Sequence, residues 1–400
     1  MKNVRHITLP EGFVAAGVKC GIKTSGKEDL AIIVGLRKVS AALLTTTNQV
    51  IGEPVRWCRQ VLPEGCGSIR GIVINAGVSN VCTGRKGFKD AQAMAAQTAA
   101  LVGARQDEIL VASTGIIGHP LPMGNIRRGI AQAAAQLGRS DDSSVLRAIM
   151  TTDTREKSAV AQVRIAGRKV TVAGMVKGAG MMAPSLATML CVLTTDALVA
   201  PPLLRKLFRP AVAASLNAVT VDSDMSTSDT AVILASGASG AKIVAGSASE
   251  KKFAAALGQV LTSLAMAIAR DGEGATKLIE ITLAGAASDA QARAAAMSVA
   301  NSPLFKCAVH GGDPNWGRIL CALGKSPAKV QAEKTVVKIG GAAVFVRGRP
   351  AGFNLKKVRA HLQGPTVLID VNLGLGKGRF RAYTCDLSRE YITINADYHT

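Results

Sequence analysis

The sequence predicts a mixed α/β fold, and three observations carry that expectation. Short apolar runs that read as strands recur along the first third of the chain, at 30–36, 41–44, 71–77 and 109–112. The last two are each followed by a loop rich in Gly, Ser, Thr and Asn and then by an Ala-rich stretch of helical texture, at 90–102 and 124–137. Strand, loop and helix in succession is the grammar of an α/β layer. The third observation is bulk: 400 residues at 48% hydrophobic content can bury one large core or two domains. Aromatic residues make up only 3%, so that core must be built from Ala, Val, Ile and Leu.

Taken in order, the polar run Thr45-Thr46-Thr47-Asn48 closes the first strand pieces. The strand at 71–77 runs into an irregular loop at 80–84, and the helix at 90–102 opens on Asp90, where the helix dipole favours an acid. After the strand at 109–112, Ser113-Thr114-Gly115-Ile116-Ile117-Gly118 reads as a tight turn. Such a turn can aim a hydroxyl and a backbone N–H at one point, as an oxyanion hole requires, although most such triplets are ordinary turns. A helix ends at Ile149 and a Thr/Asp turn follows at 150–154. Further on come a helix at 200–216, an acidic Ser-rich turn region at 219–229, and a helix to Arg270 opened by the capping box Ser247-Ala248-Ser249-Glu250. The Gly-flanked acids of 271–277 read as an exposed loop, 278–283 as an alternating strand, 284–287 as a small-residue joint between domains, and Ser288 as a helix start. Two hairpins close the chain, 335–346 across Gly340-Gly341, and 367–372 with 379–385 across the Gly-rich loop 373–378. That loop lacks the Lys-Ser/Thr ending of a P-loop, so it reads as a turn and not as a phosphate cradle.

Composition narrows the classes. Forty-eight Lys and Arg against 27 Asp and Glu give a net charge of +21, which raises a nucleic-acid-binding reading. Scarce aromatics and the lack of any recognisable nucleic-acid motif weigh against it. The basic clusters at 205–209, 347–349, 356–359 and 377–381 have apolar residues between their charges and read as solvated faces that attract acidic small substrates as a secondary effect. Eight Cys form no Cys-x-x-Cys and suit neither a zinc site nor a disulfide framework, so reduced core thiols are expected. His310 and Asp313 lack a third ligand at useful spacing, so no metal is expected. The N-terminus shows no apolar segment behind its basic residues, which points to a cytoplasmic protein without a secretory signal. No internal repeat is visible.

The chemistry concentrates at 177–190. From Gly178 to Thr195 there are eighteen residues without a charge, long enough for a membrane span, but Gly178, Gly180 and Pro184 break the run and Thr194, Thr195 and Asp196 close it. A buried core segment is the other plain reading. The order Lys177-Gly178-x-Gly180-Met181-x-x-Pro184-x-x-Ala187-Thr188-Met189-Leu190, however, resembles the self-cleaving signature of the ornithine acetyltransferase (glutamate N-acetyltransferase) family. That resemblance extends from Leu9-Pro10-Glu11-Gly12-Phe13 to Thr400. It implies scission of the Ala187-Thr188 bond into an α chain 1–187 and a β chain from 188, with Thr188 as the acyl-carrying nucleophile. A Thr hydroxyl is weak at its free pKa, and the freed α-amine, with a pKa of about 8, supplies the missing base.

By the same resemblance Thr114 and Gly115 form the oxyanion hole, and Thr151, Lys177, Thr188, Glu273, Asn395 and Thr400 contact substrate. A cation at Lys177 suits a substrate α-carboxylate. The implied reaction moves acetyl from N2-acetyl-L-ornithine to L-glutamate by a ping-pong acyl-enzyme route, without cofactor; whether acetyl-CoA also serves as donor stays open. The implied fold is a layered helix-sheet-sheet-helix sandwich, 1–285, with a smaller C-terminal α/β domain, 286–400. The cleaved chains are expected to stay interwoven as a heterotetramer of two α and two β chains, with no nucleic-acid or membrane partner. A related N-terminal-nucleophile amidase or aminopeptidase is the rival reading, separated by release of free acetate.

Overall fold

A computed structural model of the chain describes residues 6–139, 142–183 and 189–397. In chain order the elements are β1 (Phe13–Val18), β2 (Leu30–Thr45), α1 (Glu53–Val61), β3 (Cys66–Val78), α2 (Gly84–Val102), β4 (Ile109–Ile116), α3 (Met123–Gln136), α4 (Asp142–Ile149), β5 (Ser158–Ile165), β6 (Arg168–Lys177), β7 (Leu190–Thr195), α5 (Pro201–Ala213), β8 (Thr230–Ala235) and α6 (Ala248–Arg270). There follow β9 (Leu278–Ala286), α7 (Asp289–Ala300), α8 (Pro303–His310), α9 (Trp316–Gly324), β10 (Val336–Ile339), β11 (Ala342–Val346), β12 (Arg349–Pro350), α10 (Leu355–Leu362), β13 (Thr366–Asn372), β14 (Gly378–Cys385) and α11 (Arg389–Asp397).

The strands of the first unit run in the order β4-β3-β2-β8-β7-β6-β5, with β1 beside β2. The two strand pieces read from the sequence are one strand, β2, whose register with β3 shifts between Val34 and Val39. Before the shift β2 pairs with β1, and after it with β8. Alternation of side chains then sorts the apolar residues into three cores. Ile72, Ile74, Leu110 and Ala112 share a buried cluster with Leu190, Val192, Val232 and Leu234, so the two halves of the sheet pack face to face. Val73, Ile109 and Val111 point the other way, onto Met94 of α2 and Ile126 of α3. On the far side Cys191, Leu193 and Ile233 meet Phe208 of α5 and Leu257 and Leu264 of α6. Two-sided burial of the strands thus produces the helix-sheet-sheet-helix order. Helix α6 is long and apolar enough to cross a membrane, yet its Phe253, Leu257, Leu264 and Ile268 lie in this core.

The second unit is a sheet ordered β12-β11-β10-β13-β9-β14, its core closed by helices that include α7, α9 and α10. Here the structure departs from the sequence reading. The strands at 367–372 and 379–385 form no hairpin: β9 lies between them, parallel to β13 and antiparallel to β14. The Gly-rich loop passes over the end of β9, where Leu375 and Gly376 donate to the Gly285 carbonyl. A Cβ on Gly285 would stand 2.1 Å from Asn372 Oδ1, so only glycine fits beneath that crossing. Residues 284–286 therefore belong to a strand and not to a joint, and Leu278–Ala286 sits in the C-terminal sheet although the expected boundary at 285/286 leaves it with the first unit.

Helix α2 also starts earlier than Asp90, at Gly84. Gly87, buried and without a side chain, lets Thr83 and Asn80 close the first turn, with Asn80 Nδ2 donating to the Gly87 carbonyl at 2.9 Å. The predicted caps at Ser247 and Ser288 are present, accepting from the N–H groups of Ser249 and Gln291. Of the eight thiols, all free, only Cys58, Cys191 and Cys385 are buried; Cys82, Cys307 and Cys321 are exposed.

Candidate active site

Four segments meet at one end of the stacked sheets. The first is the paired C-terminal ends of β3 and β4, parallel, with Gly77 opposite Gly115. Ser113-Thr114-Gly115 is thus the end of a strand and not a turn after one. Gly115 has φ 120°, and a Cβ there would stand 2.3 Å from the Gly77 carbonyl carbon, so the two glycines allow a backbone approach that no side chain permits. Ser113 Oγ donates to Asn75 Oδ1 at 2.6 Å and locks the strand pair. The Thr114 hydroxyl makes no hydrogen bond among the described residues and faces the cleft with Gly115.

The second segment is the end of β6 with the loop after α4. Lys177, 4% exposed, donates from Nζ to Thr151 Oγ1 at 3.1 Å. Burial pulls its ammonium below the ordinary lysine range, and the Asp153 carboxylate resists that shift. Asp153 accepts from the Gly178 N–H at 2.7 Å and pairs with Lys157 Nζ at 2.6 Å. Burial opposes its ionisation, but the Lys157 and Lys177 ammonium groups outweigh that and hold its pKa at about 2. Lys157 also pairs with Asp271, which accepts from the Thr154 N–H at 3.1 Å. A chain of alternating charges thus ties the 151–157 loop to the end of α6.

The third segment is the loop after α6. Glu273 takes its place because Gly180 has no side chain: a Cβ there would stand 2.2 Å from Glu273 Oε2. The Glu273 N–H donates to the Ala179 carbonyl at 2.9 Å, and Glu273 Oε2 accepts from Asn395 Nδ2 of α11 at 2.8 Å. Gly274, at φ 67°, lets α11 come down, since a Cβ would lie 2.5 Å from the Tyr391 nitrogen. The fourth segment is 219–229. Asp222 accepts from the Met181 and Met182 N–H groups at 2.6 and 2.7 Å, holding Met181 in a left-handed conformation at φ 55°. Asp229, 1% exposed, accepts from the Met189 N–H at 2.7 Å, while burial raises its carboxyl well above the usual range.

Together these segments enclose a cleft of about 390 Å³ whose lining includes Thr114, Gly115, Thr151, Lys177, Glu273 and Asn395. The expected residues Ala187, Thr188 and Thr400 lie outside the described residues. Met189, next after Thr188, is fixed by Asp229, and Leu190 pairs with Lys177 across β6 and β7. Sequence reasoning missed Lys157, Asp222 and Asp229 and took Asp153 and Asp271 for turn and loop residues. Asp153, Lys157 and Asp271 are set by burial beside one another, and Asp222 and Asp229 by the N–H groups of Met181, Met182 and Met189, which no spacing announces; the only trace was three acids among the serines of 219–229. His310 is paired with Asp386, Nδ1 to Oδ2 at 2.7 Å, and among the described residues no three His, Cys, Asp or Glu are grouped to hold a metal.

Stacked sheets between helix layers, with a polar cleft at the strand ends, define a layered α/β enzyme. The sequence pattern of the ArgJ family matches residues 14–400, and the chain belongs to that family. The arginine biosynthesis bifunctional protein ArgJ of Geobacter sulfurreducens is 44% identical over 98% of this chain and 99% of its own length. That of Chlorobaculum tepidum is 41% identical over 98% and 96%. A crystal structure of arginine biosynthesis bifunctional protein ArgJ from Bacillus halodurans is 39% identical with a TM-score of 0.50, matching 51% of this chain and 97% of its own.

Proposed function

We propose that the protein cuts its own backbone between Ala187 and Thr188 and then moves acetyl from N2-acetyl-L-ornithine to L-glutamate through an acyl-Thr188 intermediate. The convergence of Thr114, Gly115, Thr151, Lys177, Glu273 and Asn395 on one cleft carries the reading. The Bacillus halodurans chain supports scission, because nearly all of it is matched by only 51% of this one, as a half-length fragment would be. The names of the relatives place them in arginine biosynthesis.

In this reading the Thr188 hydroxyl gives its proton to the freed α-amine as it attacks the acetyl carbonyl. The Thr114 hydroxyl and the Gly115 N–H donate to the oxyanion, and ornithine leaves with the proton. The amine of glutamate then attacks the ester and restores the hydroxyl. Both substrates carry an α-carboxylate beside the reacting nitrogen, and Lys177 is placed to pair with it. Glu273 receives the free amino group of acetylornithine. Scission leaves both fragments in one sheet, since β7 and β8 from the second pair with β6 and β2 from the first. Two copies of each fragment then make up the working assembly, in the cytoplasm.

Denaturing mass spectrometry tests this against the intact mass of 41.2 kDa. Two fragments meeting at Ala187/Thr188 are expected from the wild type and one intact chain from Thr188→Ala, with acetyl exchange lost by on the order of 10⁴-fold or more. An intact wild-type chain with full exchange activity would refute the reading.

A further inference from the structure

A second cavity, of about 860 Å³, opens between α5 of the first unit and α7 and β14 of the second. Arg205 and Arg209 line it from α5, Arg293 from α7 and Arg379 from β14. Among the described residues none of the four guanidinium groups has a carboxylate partner within ion-pair distance. The one carboxylate in the lining, Asp289, accepts from the Arg379 backbone N–H at 2.8 Å. Read along the chain these arginines belong to separate solvated clusters; folding gathers them around one concavity with an excess of positive charge. Phe380 lines the same cavity, its ring centroid 6.0 Å from the Arg293 guanidinium carbon, so an apolar surface sits beside the cations.

The cavity shares a wall with the active-site cleft. Thr45 and Thr47 line the cavity, while between and beside them Thr46 donates from Oγ1 to the Ser226 carbonyl at 2.7 Å and Asn48 from Nδ2 to the Met225 carbonyl at 2.9 Å. Met225 and Ser226 line the cleft on the other side. The 45–48 segment, with Met225 and Ser226 behind it, thus stands between the arginines and the cleft.

We propose that this cavity holds the phosphorylated nucleotide end of an acyl-thioester donor of the acetyl-CoA kind, whose arm passes the 45–48 segment into the cleft. The proposal extends the acyl-Thr188 reading and rests on it. Guanidinium forks match phosphate oxygens in pairs, and a nucleotide with several phosphates presents enough of them for four arginines. An acetyl thioester itself carries no charge, so its affinity must come from the remote end of the molecule. The volume suits one small organic ligand, not the track of a nucleic-acid duplex. The Thr188 hydroxyl oxygen attacks the thioester carbonyl, its proton passes to the α-amine, and the C–S bond breaks. The thiolate takes up that proton and leaves as the thiol, and glutamate then takes the acetyl as it does in exchange.

Calorimetric titration with adenosine 3′,5′-bisphosphate tests the site on the wild type and on the Arg205→Gln/Arg379→Gln variant. Binding is expected to weaken on the order of tenfold for each guanidinium removed. The KM for acetyl-CoA in glutamate acetylation should rise in parallel, the bisphosphate should compete with acetyl-CoA, and exchange from acetylornithine should stay unchanged. If the double variant loses exchange, Arg293→Gln alone carries the same readouts. The inference is overturned by absent binding, by equal binding in the variants, by binding without competition, by acetyl-CoA never serving as donor, or by duplex DNA as the preferred ligand. Failure of the self-cleavage reading shows separately, as an uncut chain without acetylornithine exchange.

Discussion

Asp153 shows how much one side chain can depend on its neighbours. Its carboxylate is wholly removed from solvent, 2.6 Å from Lys157 and hydrogen-bonded to the Gly178 N–H beside Lys177. Its pKa of about 2 lies below the unfolded value of about 3.9, so the stability it contributes is present above that unfolded value. As pH falls through about 2 that contribution is lost, and urea unfolding should show stability declining across this window. Asp153→Asn should remove this acid dependence and, by leaving two buried lysines short of a partner, cost about 3 to 5 kcal/mol at neutral pH. Equal acid profiles for the two proteins would show that the charges there do not interact as described. Gly180 makes the complementary point: its missing side chain is the space that the Glu273 carboxylate fills. The glycine was legible in the motif, but its reason, a carboxylate from a distant loop, was not.

Helix α11 is the element most separable from the rest, because none of its residues is buried. It is held by Asn395 on Glu273 and by the Ser388 hydroxyl on the Gly274 carbonyl at 2.6 Å. A chain ending at Ser388 should therefore unfold within about 1 kcal/mol of the wild type, as for other surface changes. Its KM for acetylornithine should rise severalfold as Glu273 loses its hydrogen-bonded partner. A truncated protein with wild-type KM would remove α11 from the site. The sequence showed a chain end that ordinarily frays, and only the resemblance turned Asn395 inward. Strand β4 teaches the reverse lesson. Ser113-Thr114-Gly115 looks like a turn because Gly and Ser favour turns, yet a parallel neighbour with a glycine opposite lets the strand continue through Ile116.

Across the whole molecule, the path of the chain decides how the two fragments of the proposed scission behave. β7 is paired with β6 on one side and β8 on the other, and β8 pairs with β2, so residues from both sides of the proposed scission point share hydrogen bonds and the cluster between the sheets. The cut protein is expected to elute as one species in size exclusion and to unfold in a single transition, because neither fragment retains a complete core. Fragments that separate without denaturant would contradict this arrangement. At the same scale the dispersed charge of +21 acquires a location, since Arg205, Arg293 and Arg379 come together only when the C-terminal sheet docks beside α5.

The sequence by itself determined the α/β class, the helices α2 to α7 and the two serine caps, and the order of residues at 177–190 carried the family resemblance. These depend on near neighbours in the chain: side-chain periodicity, capping and the covalent order around Ala187 and Thr188 all act over a few residues. Tertiary structure alone decided that β9 enters between β13 and β14, that Ser113–Gly115 ends a strand, and that Asp153, Lys157 and Asp271 are buried together. Strand register and desolvation arise from contacts between residues far apart in sequence, and local propensity carries no record of them.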